Sequence, residues 1–456
     1  MQIEIIETPS LGDRSYLVHD GEVALVIDPQ RDIDRVLAVA GRAGVRITDV
    51  AETHIHNDYV TGGYALAQQV GATYRVNAED EVSFERHGVR DGEEFTVGTM
   101  TVRALATPGH TFTHLSYAVT PADGSDPAVF TGGSLLFGST GRPDLLGPDH
   151  TEALANHQYD SAHRLADELP EETRIMPTHG FGSFCSATQT TGDSSTIGAE
   201  KRQNPVMTKN REDWLAELYD GLAAYPAYYR HMGPANSAGP SASRLERPER
   251  ADKGVIAEAL AAGHWVVDLR SQRAFAESHV EGTIGIDLQG QFATYLGWLI
   301  PWGTPLLLLG ETGEQVDEAV RELSRIGIED SLAGHATGGP TDWTDGEPAS
   351  FPQATFAQLR DARHHKELTV VDVRREDEWE EGHLEGAVQH SLIDMGGLGI
   401  DSPVEGLPTD RELWVHCAGG FRASVAASLL ARAGYRVVAI DDSFDNAADG
   451  GLEITA

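Results

Sequence analysis

One unit occurs twice in the second half of the chain: an apolar strand closing on Asp-x-Arg, an acidic stretch, then His-x-x-Gly. The copies are Val266-Val267-Asp268-Leu269-Arg270 with His279-Val280-Glu281-Gly282, and Val370-Val371-Asp372-Val373-Arg374 with His383-Leu384-Glu385-Gly386. They lie 104 residues apart (266 against 370), too long a period for a solenoid and the right length for two homologous domains built from strand–helix units around parallel sheets. A chain of 456 residues, at roughly 150 residues per domain, has room for a third domain ahead of the pair.

That first part alternates short β-rich runs (residues 16–18, 23–27, 95–105 and 115–119) with amphipathic stretches such as 33–43, the pattern of a layered α/β domain. Residues 209–230 turn helical, and 233–250 are rich in Pro, Gly, Ala and Ser, the composition of a linker. The expected division is a first domain with a helical extension over 1–233, a linker over 234–250, and α/β domains over 251–345 and 351–456.

The formal charge is -37, from 71 acidic against 34 basic residues, and the only lysines are Lys201, Lys209, Lys253 and Lys366. Such a surface repels nucleic acid and anionic membranes, so neither is an expected partner. An acidic, Lys-poor surface around ordinary apolar segments fits work in high intracellular salt, where screening removes self-repulsion; an acidic cytosolic enzyme is the plainer reading. Residues 1–6 read as a strand rather than a signal peptide, and the apolar run 295–309 is broken by Pro301, Gly303 and Pro305, so a cytoplasmic location is expected. The two cysteines, Cys185 and Cys417, fall in different expected domains, which argues against a disulfide framework.

Three histidine-bearing segments follow strand-like runs: Thr53-His54-Ile55-His56-Asn57-Asp58-Tyr59, Thr107-Pro108-Gly109-His110-Thr111 and Pro177-Thr178-His179-Gly180. Neutral imidazole is a common ligand for borderline metals, and His-x-His in a turn is rarely required for packing, so these loops are expected to converge on one ion.

The His-x-His-x-Asp motif with the later Gly-His and final His resembles the metallo-β-lactamase superfamily over about residues 1–230. The resemblance implies an αββα sandwich with metal at its rim. His56-Asn57-Asp58-Tyr59, Gly141-Arg142-Pro143-Asp144-Leu145 and Ser194-Ser195-Thr196-Ile197-Gly198 are similar to the persulfide dioxygenase branch fused to rhodanese, whose members use one iron. Tyr59 stands where binuclear members such as glyoxalase II thioesterases place a histidine for a second metal. The implied two-His, one-carboxylate site maps onto His54 and His110, with the carboxylate expected in Thr-Gly-Asp; this chain has Thr131-Gly132-Gly133. Gly133 cannot coordinate, which weakens the site; His56, Asp58 or His179 are the alternative ligands, with Fe(II) the favoured metal and Zn(II) the alternative. Cys185, six residues beyond His179, matches a cysteine that fused dioxygenases carry, implying contact with persulfide sulfur; as a residue it reads equally as a small buried hydrophobe.

In the last expected domain the run 413–416 leads into Cys417-Ala418-Gly419-Gly420-Phe421-Arg422 and then a helical stretch, 423–433. A loop of this kind turns backbone N–H groups inward at a helix N-terminus, where they and Arg422 stabilise a thiolate or persulfide. Gly419 and Gly420 are expected to supply positive φ and close approach. The pattern resembles rhodanese over about 351–456, with Cys417 the nucleophile and Arg422 its partner. The middle copy resembles the same family over about 255–328, but its strand runs into Gly310-Glu311-Thr312-Gly313, with no cysteine and a carboxylate that would repel an anion. It is expected to be silent, a spacer or docking domain.

The expected fold is therefore an αββα sandwich followed by two rhodanese-like α/β domains with parallel sheets. The leading expectation for function is a persulfide dioxygenase coupled to a sulfurtransferase, acting on a low-molecular-weight thiol persulfide with sulfite or thiosulfate as partners. The alternatives are a sulfurtransferase with a non-redox binding scaffold, a metal-dependent thioesterase with an appended rhodanese, and a non-enzymatic persulfide carrier. A homodimer is implied by the resemblance alone.

Overall fold

Alternation along Val23–Ile27 separates two cores: Leu25 and Ile27 enter one apolar cluster, Ala24 and Val26 another. The strand before it does the same, with Tyr16 and Val18 on one side and Leu17 on the other, as the two-residue period of a strand buried on both faces requires. The computed structural model describes residues 1–188, 190, 192–399 and 402–455; Ala456, the last residue of the final expected domain, lies outside them.

The chain divides into two units, Met1–Arg244 with Ser324–Gly327, and Leu245–Leu323 with Ile328–Ala456. In the first unit one sheet runs in order β1 (Gln2–Thr8), β2 (Asp13–His19), β3 (Val23–Ile27), β4 (Arg46–Ala51), β5 (Thr73–Asn77) and β6 (His87–Val89). The second runs β7 (Glu94–Val97), β8 (Met100–Ala106), β9 (Leu115–Thr120), β10 (Ala128–Gly132), β11 (Arg174–Pro177) and β12 (Ser195–Thr196). Residues from β2 to β4 meet residues from β8 to β11 in the core between the sheets, among them Tyr16, Ile27, Val102 and Phe130. Helices Asp34–Ala43 and Gly63–Val70 cover the outer face of the first sheet through Val36, Ala40, Leu66 and Ala67. Helices Pro148–Glu168 and Arg211–Asp220 cover the second through Ala162, Leu165, Trp214 and Leu218. This is the expected αββα sandwich, and each fully buried aliphatic side chain stabilises it by about 1.5–3 kcal/mol.

The loops leaving β4, β8, β10 and β11 meet at one rim: Leu115 N donates to Thr53 O (2.7 Å) and Thr178 N to Gly132 O (3.0 Å). The segment read as a linker from 234 begins inside a helix, Tyr229–Ala238, with Pro234 within it. Composition signals a loop there, yet tertiary hydrogen bonds through the buried Asn236 outweigh the N–H that proline removes.

In the second unit the middle sheet has the order β14 (Ile284–Gly285), β13 (Trp265–Asp268), β15 (Leu306–Gly310), β16 (Leu332–Thr337), all parallel. The final sheet runs β20 (Val388–Gln389), β18 (Leu368–Asp372), β21 (Glu412–His416), β22 (Val437–Ile440), β17 (Gln353–Ala354), also parallel. A short antiparallel pair, β19 (His383–Leu384) with β23 (Ile454–Thr455), flanks it. The first four strands correspond one to one, so the sequence duplication is a duplication of topology. Both Asp-x-Arg pairs are buried and do the same work. Arg270 binds Asp268 and the carbonyl of Ser278 (2.6 Å); Arg374 binds Asp372 and the carbonyl of Gly382 (2.7 Å). Each following histidine stacks on an aromatic ring, His279 on Phe275 and His383 on Trp379. Among the described residues no helix is long and apolar enough to cross a membrane.

Candidate metal centre and thiol site

His54, His110 and His179 come together at the rim of the sandwich, all fully buried, with one ligand atom each and all within 4.8 Å of one another. Hydrogen bonds set the orientation of each ring. Thr53 Oγ1 donates to Asp28 (2.8 Å), so it accepts from His54 Nδ1 (2.8 Å), which leaves His54 Nε2 free to coordinate. His110 Nδ1 donates to the carbonyl of Arg142 (2.8 Å), and its buried Nε2 makes no hydrogen bond among the described residues. His179 Nδ1 lies 2.9 Å from Asp13 and 3.1 Å from Asp58. Its Nε2 faces His54 Nε2 at 3.4 Å.

Burial, then the neighbouring histidines, hold His54 well below and His110 at about 3, so both are neutral donors near pH 7. Burial opposes charge on His179 as well, but Asp58 and Asp13 outweigh it and raise its pKa. A divalent ion replaces the proton this ring would otherwise hold, while the two carboxylates strengthen it as a donor. The donor set fits one ion of the iron or zinc class held by three imidazoles.

His56 and Asp58 lie next to this set, and with His179 they form a second group whose ligand atoms fall within 4.8 Å of one another. His56 Nε2 is committed to Asp28 (3.2 Å), Glu52 (3.3 Å) and the Tyr59 phenol (2.9 Å). Burial works against its charge, but Asp28 and Glu52 carry its pKa up to about 9. The Tyr59 phenol is buried and raised well above its ordinary value, so it stays protonated and is a poor second-metal ligand. Gly133 has a steric role: a Cβ there would run into the ring of His110, and one at Gly141 would meet the same ring from another side. The imidazole occupies the room that the missing carboxylate would need. Cys185 is completely buried against Asp58; burial and that carboxylate push its thiol well above the ordinary value, so the resting sulfur is protonated.

In the second unit Cys417 leaves β21 at the N-terminus of the helix Phe421–Arg432, and its Sγ accepts from Gly420 N (3.1 Å) and Ala423 N (3.4 Å). Gly420 has φ 94°, and a Cβ there would lie 2.7 Å from Asp441 Oδ1. The expectation for Gly419 is corrected: it is not among the glycines with positive φ, and a Cβ on it would meet open space. Arg422, expected as the partner of Cys417, forms a two-pronged pair with Glu378 (2.5 and 2.7 Å), which keeps it charged against the cost of burial. In the middle copy the matching loop has no cradle. Gln315 Oε1 accepts from Glu311 N (2.7 Å), and the Arg247 guanidinium packs on Gly313.

Residues 13–179 match the Metallo-beta-lactamase superfamily, and residues 355–449 match the Rhodanese-like domain. A hydroxyacylglutathione hydrolase-like protein of Mus musculus is 33% identical over 147 residues, 32% of this chain and 50% of that protein; the chain thus spans half the length of this relative. The cytoplasmic hydroxyacylglutathione hydrolase of Arabidopsis thaliana is 32% identical over 184 residues, 39% of this chain and 68% of that protein. The chain belongs to the metallo-beta-lactamase superfamily. A solved metallo-beta-lactamase from Staphylococcus aureus subsp. aureus COL aligns at TM-score 0.65 with 29% identity, covering 74% of this chain and 98% of that one.

Within the first unit, sequence reasoning missed Asp13, Asp28, Glu52 and Asn236. Asp28 was findable, because a carboxylate ends an otherwise apolar strand; it accepts from Thr53 N (2.7 Å) and Thr178 Oγ1 (2.5 Å) and joins two of the histidine loops. Asn236 gave no local signal. Its amide donates to the carbonyls of His56 (2.9 Å) and Tyr59 (2.8 Å) and accepts from Thr61 N (2.8 Å). Asn236→Ala leaves three buried backbone groups of the metallo-beta-lactamase metal loop unpaired. It is expected to destabilise this unit by about 3 kcal/mol, read as a lower urea midpoint; an unchanged midpoint would show that the loop is held by other means.

Proposed function

We propose that the protein oxidises a low-molecular-weight thiol persulfide at the three-histidine centre and transfers sulfane sulfur through Cys417. The observation that carries this reading is the presence, in one chain, of a buried three-histidine set and a thiol cradled by backbone N–H groups. A ferrous ion held by His54, His110 and His179 would supply the activation of dioxygen. The overall change is RSSH + O2 + H2O → RSH + SO3²⁻ + 2 H⁺. Asp13 and Asp58 orient His179, Arg142 O orients His110, and Thr53 orients His54, so the donors are set before substrate arrives. Full burial of these side chains limits water at the centre and protects sulfur intermediates from side reactions.

At Cys417 a persulfide, Cys–S–S⁻, is attacked at its outer sulfur by the sulfur lone pair of sulfite. The S–S bond to Cys417 breaks, thiosulfate leaves, and the returning thiolate is received by Gly420 N and Ala423 N. Two-metal thioester hydrolysis is less well supported, because Tyr59 stands where a second ion would take a histidine and Gly133 brings no carboxylate to the site.

Protein loaded anaerobically with Fe(II) in concentrated KCl, then given oxygen and a thiol persulfide, is expected to consume O2 and form sulfite, while metal-stripped protein does neither. If loaded protein takes up no O2 yet still makes thiocyanate from thiosulfate and cyanide, the first unit is a binding scaffold.

A further inference from the structure

The catalytic helix Phe421–Arg432 is gripped at both ends by the middle subdomain, which has no thiol of its own. At its C-terminal end Arg432 donates to the carbonyls of Gly263 and His264 (3.3 Å each). Beside its N-terminal end Gln272 donates to Asp441 (2.8 Å), the carboxylate that packs against Gly420 of the cradle. The middle subdomain's helix Phe292–Leu299 then closes in on the site. A Cβ at Gly396 would collide with the carbonyl of Leu299, and the Tyr295 ring sits 5.4 Å from that of Phe421, between Gly420 and Arg422 in sequence.

We propose that the middle subdomain completes the sulfur-transfer site, its Tyr295 presenting a phenol O–H to the oxygen atoms of sulfite or thiosulfate at Cys417. This rests on the sulfurtransferase reading above and adds the residue that selects an oxyanionic partner. Tyr295 is 8% exposed, a buried ring placed against Phe421 of the loop rather than a solvent-facing one. Its phenol feels Arg422, Arg375, Glu378 and the Cys417 sulfur, and burial raises its pKa, which keeps the proton available to donate. Arg422 is engaged by Glu378 through two bonds, and the cradle amides serve Sγ. The helix that carries Tyr295 approaches from the other subdomain and adds a neutral donor to the charged and backbone donors of the loop. The silent copy is retained, on this reading, because half of the anion pocket belongs to it.

The test uses the full chain, thiosulfate as donor, and two acceptors: sulfite, labelled so that its exchange is visible, and cyanide, which has no oxygen atoms. In Tyr295→Phe the ratio of kcat/KM for sulfite to that for cyanide is expected to fall about tenfold, the effect of one hydrogen bond to a charged group. A general loosening of the fold would lower both rates together and leave the ratio where it was. A ratio within twofold of the wild-type value overturns the role of Tyr295 alone. Failure of the wild-type protein to form a Cys417 persulfide, read by mass spectrometry, overturns the sulfurtransferase reading and this inference with it.

Discussion

Cys417→Ala is expected to lower sulfur transfer from thiosulfate at least about a thousandfold while leaving iron-dependent O2 uptake in place. On the proposed mechanism the sulfur is carried covalently on Sγ, and no other described cysteine can substitute: Cys185 belongs to the other unit and is held protonated against Asp58. The fold should tolerate the change, because the Asp372–Arg374 pair and the apolar core of the final domain do not involve the thiol. Thiocyanate formation and an oxygen electrode read the two activities on one preparation. Transfer retained to within tenfold would remove Cys417 from the mechanism, whereas joint loss of both activities would mean that the two units depend on one another.

The second large effect runs against the simplest design argument. Gly133→Asp would restore the carboxylate that the resemblance expects, yet it is expected to weaken Fe(II) or Co(II) binding about 10–100-fold. The His110 ring already fills that space. It is anchored by its bond to the Arg142 carbonyl and bounded by Gly141, so a side chain at 133 displaces a ligand before it can become one. Titration against a chromophoric chelator gives the affinity, and the visible spectrum of the Co(II) form reports whether three imidazoles remain. Tighter binding in the variant would show that His110 swings aside and that the site reverts to two histidines and a carboxylate.

The layers of the first unit were legible because alternation along strands such as Val23–Ile27 records two buried faces, and the cradle was legible because strand, glycines and helix are contiguous in sequence. The histidine loops could be found for the same reason, but not the choice among them. That His179 joins His54 and His110 depends on Asp13, 166 positions away, and that His110 turns inward depends on a carbonyl 32 positions away. His56 looked equivalent to His54 in its motif and is set apart only by Asp28 and Glu52 beneath it. The linker read over 234–250 begins too early, since the helix runs on to Ala238: Gly, Pro and Ser describe local preference, while Asn236 is held by partners about 175 to 180 positions away.

The paired Asp-x-Arg anchors have one more consequence. In each copy the Asp-x-Arg pair ties its own strand to the carbonyl of the next turn, whether or not a cysteine loop follows further on, so the architecture persists where the thiol is missing. Shape and reactivity are then inherited through different residues. A search keyed on Asp-x-Arg with His-x-x-Gly recovers both copies in the second half of this chain, whereas one keyed on Cys-x-x-Gly-x-Arg recovers only the last.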